Sequence, residues 1–217
     1  MGNVAVIIGA TGAVGREILE EVLEKEFYKK VYVLGRSSIT RLEDNEKLEK
    51  IVVDFENLNF ETDILNNADV FASLGTTIKI AKTKENQRKI DLGYTINFAK
   101  ICEGRVRSFN VVSAVGANRK SKSFYSSLKG ELEEQLQKMN LGTLRIYRPS
   151  LLIAKRVDKR MMEGFFIKLS PMLKFILHGK FKKYSPIEVE LLGKEIVRFA
   201  IEYKEKGIYT YSDFKKA

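Results

Sequence analysis

Short, continuously apolar runs alternate with amphipathic helical stretches along the first two thirds of the chain, and this alternation limits the folds open to it. The strand-like runs cover residues 3–8, 30–34, 50–53, 69–73, 108–113 and 142–147. Helical patterns cover residues 14–26, 85–103 and 128–139. Apolar strands separated by helices are typical of a parallel sheet covered on both faces. The sequence therefore predicts an α/β protein with a doubly wound parallel sheet.

The composition excludes several classes of protein. At 217 residues the chain is long enough for one full-sized core, so we expect a single domain over residues 1–217. One cysteine, Cys102, and one histidine, His178, rule out an internal disulfide and a Cys/His zinc site. No apolar run reaches the roughly 18 residues of a spanning helix, and there is no signal-peptide pattern. We expect a reducing, cytoplasmic location and no transmembrane segment.

The chain is basic, with a formal net charge of +10. Such a charge can attract phosphates, nucleic acid or an anionic membrane, although it also serves simply to keep a protein soluble. The sequence shows no helix-turn-helix, zinc or RNP-like motif, so we expect no nucleic-acid partner.

A glycine-rich loop joins the first strand to the first helix. Its sequence is Gly9-Ala-Thr-Gly-Ala-Val-Gly15, and it contains Thr11, Gly12, Ala13 and Val14. Glycines at such a place let the backbone turn sharply and let a pyrophosphate approach the free N–H groups of the helix. Because the loop lies between a strand and a helix, it predicts a dinucleotide site in a Rossmann fold. The alternative is an ordinary strand-to-helix turn.

The ends of the next strands bear on the choice of cofactor. The second strand ends at Arg36, where an acid would favour NAD and an arginine favours the 2′-phosphate of NADP. The sequence therefore predicts NADP(H), with a surface arginine as the alternative. We expect Asp54 and Phe55, after the third strand, to contact the adenine. Leu74, Gly75 and Thr76, after the fourth, are expected beside the ribose and nicotinamide.

A Tyr-x-x-x-Lys pair indicates the chemistry. Tyr125 and Lys129 lie one helical turn apart on one face. The same spacing recurs at Tyr211 and Lys215, which we interpret as accidental, because only the first pair is preceded by a strand-end hydroxyl, that of Ser113. A hydroxyl at the carboxyl end of a parallel strand lies above the crevice in which a dinucleotide binds.

These ordered motifs resemble those of the short-chain dehydrogenase/reductases. The resemblance extends over nearly the whole chain and includes Tyr147-Arg-Pro-Ser150 after the sixth strand. Four segments resemble, more narrowly, the atypical group that contains the Tat-interacting-protein-like oxidoreductases. They are Leu74-Gly-Thr-Thr77, Lys89-Ile-Asp-Leu-Gly-Tyr94, Ser113-Ala-Val-Gly-Ala117 and Tyr125-Ser-Ser-Leu-Lys-Gly-Glu131.

The resemblance implies a role for each matching residue. Tyr125 would be the general acid, Lys129 would lower the pKa of its phenol and hold the ribose, and Ser113 would orient the substrate carbonyl. Asp91 stands where many members of the family have asparagine, and it would anchor a relay water. A substitution of this kind is known in the atypical group.

The last third of the chain is more basic. Residues 155–183 hold nine basic and two acidic residues, interleaved with aromatic and aliphatic ones. Extended and atypical members of the family place a small substrate cap here, and we expect one that closes over an anionic or amphipathic substrate or contacts an anionic membrane surface. The alternative is a helical subdomain with solvated lysines. The segment Ser185-Pro-Ile-Glu188 then predicts a helix start with a capping box.

Together these features predict an NADP(H)-dependent oxidoreductase that acts on a small carbonyl compound or alcohol. The alternative function is a regulatory protein that binds NADPH and has little or no turnover.

Overall fold

Parallel strands dominate the computed structural model, which describes residues 3–153, 185–202, 205 and 207–214. The main sheet comprises β1 (Asn3–Ile8), β2 (Tyr28–Gly35), β3 (Leu48–Val52), β4 (Asp69–Ala72), β5 (Ser108–Val112), β6 (Thr143–Arg148) and β9 (Gly207–Thr210). These strands are arranged in the order β3-β2-β1-β4-β5-β6-β9, and every neighbouring pair is parallel. The predicted doubly wound Rossmann sheet is therefore confirmed.

Helices connect the strands and cover both faces of the sheet. They are α1 (Ala13–Glu24), α2 (Ile78–Ala81), α3 (Lys84–Arg88), α4 (Thr95–Cys102), α5 (Phe124–Leu136), α6 (Val189–Glu202) and α7 (Tyr211–Phe214). On one face, α1 packs on β1 and β2 while α6 packs on α1 and β5, through residues such as Ile18 and Ile196. On the other, α4 and α5 bury Phe98 and Leu132 against β4 and β5. Burial on both faces explains why the strands are apolar throughout.

The strand order reverses between β1 and β4. The chain runs outward from β1 to β2 and β3, and then returns to place β4 on the opposite side of β1. Ligands of open α/β sheets bind in the crevice at the carboxyl ends of the strands at such a reversal. The loops after β1 and β4 are therefore the expected walls of a binding site.

The predicted helix over residues 85–103 contains an irregularity. A π-helical turn, Lys89–Tyr94, separates α3 from α4, and Asp91 lies within it. π-Helical turns are rare and occur frequently at functional sites. The pattern of apolar residues identifies a helix but not this local change of pitch.

The predicted capping box is wrong. Ile187–Glu188 forms a short strand, β8, that is parallel to β7 (Leu152–Ile153), and α6 begins only at Val189. The backbone N–H of Ile187 donates to the carbonyl of Leu151 at 2.9 Å, and the Ile187 side chain is buried. Pairing and burial at this site favour an extended backbone over an earlier helix start. The basic segment 155–183 and the second Tyr-x-x-x-Lys lysine, Lys215, lie outside the described residues.

Candidate active site

The glycine-rich loop is shaped by close packing against the loop after β4. Gly9 has a φ of +87°, and a Cβ there would lie 2.7 Å from the backbone carbon of Ser73. A Cβ on Gly15 would lie 2.1 Å from the carbonyl oxygen of Gly9. The loop closes with a 3.0 Å hydrogen bond from the N–H of Gly12 to the same carbonyl. Side chains at positions 9 and 15 are therefore incompatible with this turn.

The first turn of α1 fits a phosphate group. Its N-cap is Gly12, which has no side chain to cap the helix, and the turn carries no acidic residue. The first N–H groups of a helix have no intrahelical partner and carry the positive end of its dipole. Thr11, Gly12, Ala13 and Val14 line the adjacent cavity. An anionic pyrophosphate would find both space and donors there.

This cavity, which we call the catalytic cavity, has a volume of about 410 Å³. Ser113, Tyr125 and Lys129 line it together with Thr11–Val14. Leu74, Gly75 and Thr76 also form part of its wall. The structure therefore brings together residues far apart in the chain that the sequence assigned to catalysis and to the cofactor.

Lys129 is a buried cation between two buried carboxylates. Its side chain extends from α5, is 3% exposed and donates to the carbonyl oxygen of Val112 at 3.3 Å. Burial lowers the pKa of Lys129, while the negative charges of Asp91 and Glu133 oppose that shift. Lysine is rarely buried this deeply without a specific reason. Its position on the cavity wall is consistent with such a reason.

Asp91 lies behind the cavity wall and does not line it. Its side chain is fully buried, and its Oδ1 accepts a 2.6 Å hydrogen bond from the backbone N–H of Thr76. Gln87 donates to the carbonyl of Thr76 at 3.0 Å, so the Thr76 residue is held at both its N–H and its carbonyl. Burial raises the pKa of Asp91, and the charge of Lys129 opposes the increase. Asp91 thus acts on the cavity through Thr76 and Lys129.

Tyr125 has a raised pKa. Burial is the main cause, and the negative charge of Asp91 adds to it. We expected from the sequence that Lys129 would lower this pKa, and the structure shows the opposite net direction. The physical reason is that the loss of water around the phenolate and the nearby Asp91 charge both disfavour the charged form. A phenol with a raised pKa keeps its proton near neutral pH and is a weaker acid than an ordinary tyrosine.

Ser113 is hydrogen-bonded to Glu133, a residue that the sequence did not indicate. Its Oγ donates to Oε1 of Glu133, which is 3% exposed. Arg148, at the end of β6, holds the same carboxylate with its Nε at 2.9 Å from Oε1 and with its Nη2 on Oε2. Glu133 follows Lys129 by one helical turn, as Lys129 follows Tyr125. That spacing is the signal that could have placed Glu133 on the same face of α5.

A second cavity, which we call the ribose-phosphate cavity, adjoins the first and has a volume of about 490 Å³. The two share Thr11, Gly12 and the residues Ser73–Thr76 in their walls. The charged residues that line the second cavity are Arg36, Lys82 and Lys89. Arg36 follows directly after β2 and is exposed, while Lys89 pairs with Glu56 at 2.6 Å. The sequence indicated Arg36 but not the two lysines, because α2 and α3 bring them in from another part of the chain.

The structure places Asp54 and Phe55 outside both cavities. Phe55 is 3% exposed, and the ring of Tyr94 stacks on it with centroids 5.3 Å apart. Tyr94 itself lines the ribose-phosphate cavity. Asp54 is exposed and accepts a hydrogen bond from the N–H of Glu56 at 2.9 Å. The aromatic surface of this cavity therefore comes from the π-helical turn and not from the end of the third strand.

Comparison with protein families agrees with this geometry. Residues 9–145 match a family model described as NAD(P)H-binding. The matched range includes the glycine-rich loop, Arg36, Asp91, Ser113, Tyr125 and Lys129.

Two relatives illustrate the similarity. Protein HTATIP2 of Rattus norvegicus is 31% identical to this chain over 157 residues. The match covers 71% of this chain and 64% of the rat protein, which is less than two thirds of that relative. The mitochondrial protein FMP52 of Debaryomyces hansenii is 31% identical over 209 residues, covering 94% of this chain and 90% of that protein. Among solved structures, a UDP-N-acetylglucosamine 4-epimerase from Methanobrevibacter ruminantium M1 shares the fold, with a TM-score of 0.69, 16% identity and coverage of 97% of this chain and 77% of that one.

These relatives overturn one expectation. The cytoplasmic location predicted from the sequence is contradicted by the FMP52 proteins, which are named as mitochondrial. The reasoning failed because a low cysteine content reports a reducing environment and does not identify a compartment. Within the described ranges, no helix is both long enough and apolar enough to cross a membrane.

Proposed function

The chain belongs to the NAD(P)H-binding family that includes HTATIP2 and FMP52, and its features are those of an atypical short-chain dehydrogenase/reductase; from this premise we propose that it is an NADP(H)-dependent reductase of small carbonyl compounds. One observation carries the proposal. Ser113, Tyr125 and Lys129 share the catalytic cavity with the uncapped first turn of α1. A cofactor held there by its pyrophosphate would extend toward the phenol.

The bound cofactor would supply a hydride to the carbonyl carbon. Tyr125 would give its phenolic proton to the carbonyl oxygen, so that the carbonyl compound becomes an alcohol and NADPH becomes NADP⁺. The raised pKa of Tyr125 keeps the phenol protonated before this transfer. Lys129 would stabilise the phenolate left behind, and a proton from solvent would restore the phenol.

The basic lining of the ribose-phosphate cavity supports a preference for NADP(H). Arg36 stands where an acid would hold the 2′-hydroxyl of NAD, and Lys82 and Lys89 add positive charge to the same cavity. A phosphate near neutral pH carries between one and two negative charges and accepts hydrogen bonds from such groups. The adenosine end of NADPH would lie in this cavity, and its nicotinamide end in the catalytic cavity.

Thermal unfolding with and without dinucleotides tests the binding step. A ligand at one hundred times its dissociation constant adds about 2.7 kcal/mol to the free energy of unfolding. For a chain of this size the unfolding midpoint should rise by roughly 5–10 °C. We expect this shift with NADPH and a smaller one with NADH. No shift with either dinucleotide would contradict the proposal.

The variant Tyr125→Phe tests the chemical step. It removes the proton donor and keeps the ring, so it should retain the NADPH-induced shift and lose roughly 10²- to 10⁴-fold in turnover on a panel of aldehydes and ketones.

A regulatory NADPH-binding protein is the second candidate. The buried carboxylate of Asp91 favours it, because this charge raises the pKa of Tyr125 and so opposes formation of the phenolate. Wild-type protein that binds NADPH but consumes none of it with any member of the panel would support that candidate.

A further inference from the structure

The hydrogen bond of Ser113 limits what this residue can offer a substrate. Its Oγ donates to Oε1 of Glu133 at the back of the catalytic cavity. The neighbouring backbone is fixed as well, since the N–H of Ser113 donates to the carbonyl of Tyr147 at 2.7 Å. Both the position and the direction of the hydroxyl are therefore set by the protein before any ligand binds.

Glu133 can only accept in this arrangement. Nε of Arg148 lies 2.9 Å from Oε1 and 3.2 Å from Oε2, and Nη2 also contacts Oε2. The Glu133 carboxylate raises the pKa of Arg148, which is the shift of a charged pair. A carboxylate paired with a guanidinium has no proton to give.

A serine hydroxyl has one hydrogen and two lone pairs. Because Glu133 takes the hydrogen, Ser113 presents only lone pairs to the cavity that it lines. A plain ketone oxygen also presents lone pairs, so the two oxygens would repel each other. A hydroxyl on the substrate would instead donate to Ser113.

We infer that Ser113 is a hydrogen-bond acceptor in this site, and that the substrates are carbonyl compounds that also carry a hydroxyl, of which α-hydroxy ketones are the simplest class. Tyr125 donates to the carbonyl oxygen, while the substrate hydroxyl donates to Ser113. Glu133 and Arg148 act as positioning residues, because they set the direction of the Ser113 hydroxyl without lining the cavity. The inference rests on the proposed reductase function and names the substrate class for that site.

Two ketones that differ by one hydroxyl test the inference. 2-Hydroxyacetophenone and acetophenone are compared with the full-length protein saturated with NADPH, first by ligand-observed NMR for the dissociation constant and then by NADPH consumption for kcat/KM. We expect the hydroxy ketone to be favoured at least about tenfold in both. Equal binding of the two ketones, or no binding of the hydroxy ketone, would overturn the inference.

The variant Glu133→Gln reverses the hydrogen-bond direction. If its amide oxygen takes the Oε2 position, it keeps the two Arg148 contacts to that atom. Its amide nitrogen then faces Ser113 and replaces the acceptor that Nε of Arg148 has at Oε1. The Ser113 hydroxyl is released and can donate to a plain ketone. We expect the preference for the hydroxy ketone to fall at least about tenfold. An unchanged preference would overturn the inference.

Two further variants separate the direction of the Ser113 hydroxyl from the change of charge on α5 and from misfolding. Glu134→Gln makes the same charge change at the next position of α5, where the exposed side chain pairs with Arg119 at 2.7 Å, and it should keep the wild-type preference. Ser113→Ala leaves the Glu133–Arg148 pair intact and should abolish the preference in binding, which decides the question even if Glu133→Gln fails to fold. If NADPH binds but neither ketone is reduced, the reductase proposal fails, while the ratio of dissociation constants still judges the role of Ser113.

Discussion

Oδ1 of Asp91 accepts a 2.6 Å hydrogen bond from the backbone N–H of Thr76, while Oδ2 of the same buried carboxylate has no hydrogen-bond partner among the described residues. The π-helical turn Lys89–Tyr94 directs this side chain inward, between the loop after β4 and Lys129. The fold thus keeps a poorly solvated charge close to the reacting end of the cavity. An unpartnered buried oxygen of this kind costs stability.

The variant Asp91→Asn should therefore be more stable than the wild type at pH 7. Asparagine keeps the acceptor for the N–H of Thr76 and removes the buried charge. Burial holds the pKa of Asp91 above its ordinary value, so the protonated acid stabilises the fold at low pH, and this contribution is lost as the pH rises through the raised pKa. The unfolding midpoint of the variant should exceed that of the wild type by a few degrees at pH 7. The difference should vanish below about pH 4.

Asp54→Asn is the matched control for this experiment. It makes the same chemical change at an exposed aspartate whose acceptor role for the N–H of Glu56 an asparagine can keep. Surface changes of this type alter stability by less than about 0.5 kcal/mol. A wild type more stable than Asp91→Asn at pH 7 would show that the attraction to Lys129 outweighs the cost of burial.

The raised pKa of Tyr125 predicts the pH dependence of reduction. The phenol stays protonated throughout the neutral range, because burial and the charge of Asp91 disfavour the phenolate. The rate of carbonyl reduction at saturating NADPH should therefore be flat from about pH 6 to pH 9, well below the ordinary tyrosine value near about 10. Oxidation of the product alcohol, which needs the phenolate, should instead increase with pH. A reduction rate that falls within this range through the loss of one proton would contradict the assignment.

Arg36 should control the choice between the two dinucleotides. Arg36→Ala removes a charged donor for the 2′-phosphate, and hydrogen bonds to charged groups contribute roughly 1.5–3 kcal/mol. The dissociation constant for NADPH should rise about 10- to 150-fold, while that for NADH should change little. Fluorescence titration of the bound dinucleotide measures both constants. Arg41→Ala is the control, since Arg41 is an exposed arginine in the short 3₁₀ turn Ser37–Arg41 that follows Arg36, and it lines neither cavity.

The sequence predicts what depends on local pattern. Continuous apolar runs identify the strands, and a glycine turn that needs φ near +87° at Gly9 identifies the phosphate loop. The sequence does not predict hydrogen bonds between side chains that are far apart in the chain. At the opposite end of the sheet, buried Asp69 accepts hydrogen bonds from Tyr28 at 2.7 Å, Arg107 at 2.9 Å and Ser108 at 2.7 Å. No spacing rule connects these four residues, because they meet only when β2 and β4 assemble on either side of β1 and β5 pairs with β4.

The same limit explains which features of the candidate site the sequence did not predict. Ser113 and Tyr125 could be assigned from their places at a strand end and on a helix. The direction of the Ser113 hydroxyl could not be predicted, because it depends on the contact between Arg148 of β6 and Glu133 of α5. The pKa of Tyr125 depends on burial, which a one-dimensional pattern does not measure. Likewise, Phe55 has the right composition for an adenine contact, but its ring is covered by Tyr94.

Gly15→Ala should destabilise the fold and abolish dinucleotide binding together. The added Cβ would lie 2.1 Å from the carbonyl oxygen of Gly9 and 2.7 Å from Oγ of Ser73, so α1 would have to move away from the loop. Overpacking of this kind costs about 1–3 kcal/mol, which exceeds the roughly 1 kcal/mol that alanine gains over glycine within a helix. Gly75→Ala is the control, because Gly75 also borders both cavities but its added Cβ meets no atom within 4 Å. Chemical denaturation should show a lower free energy of unfolding for Gly15→Ala alone. Equal stability of the two variants would mean that α1 can shift without cost and that Gly15 is not needed for this turn.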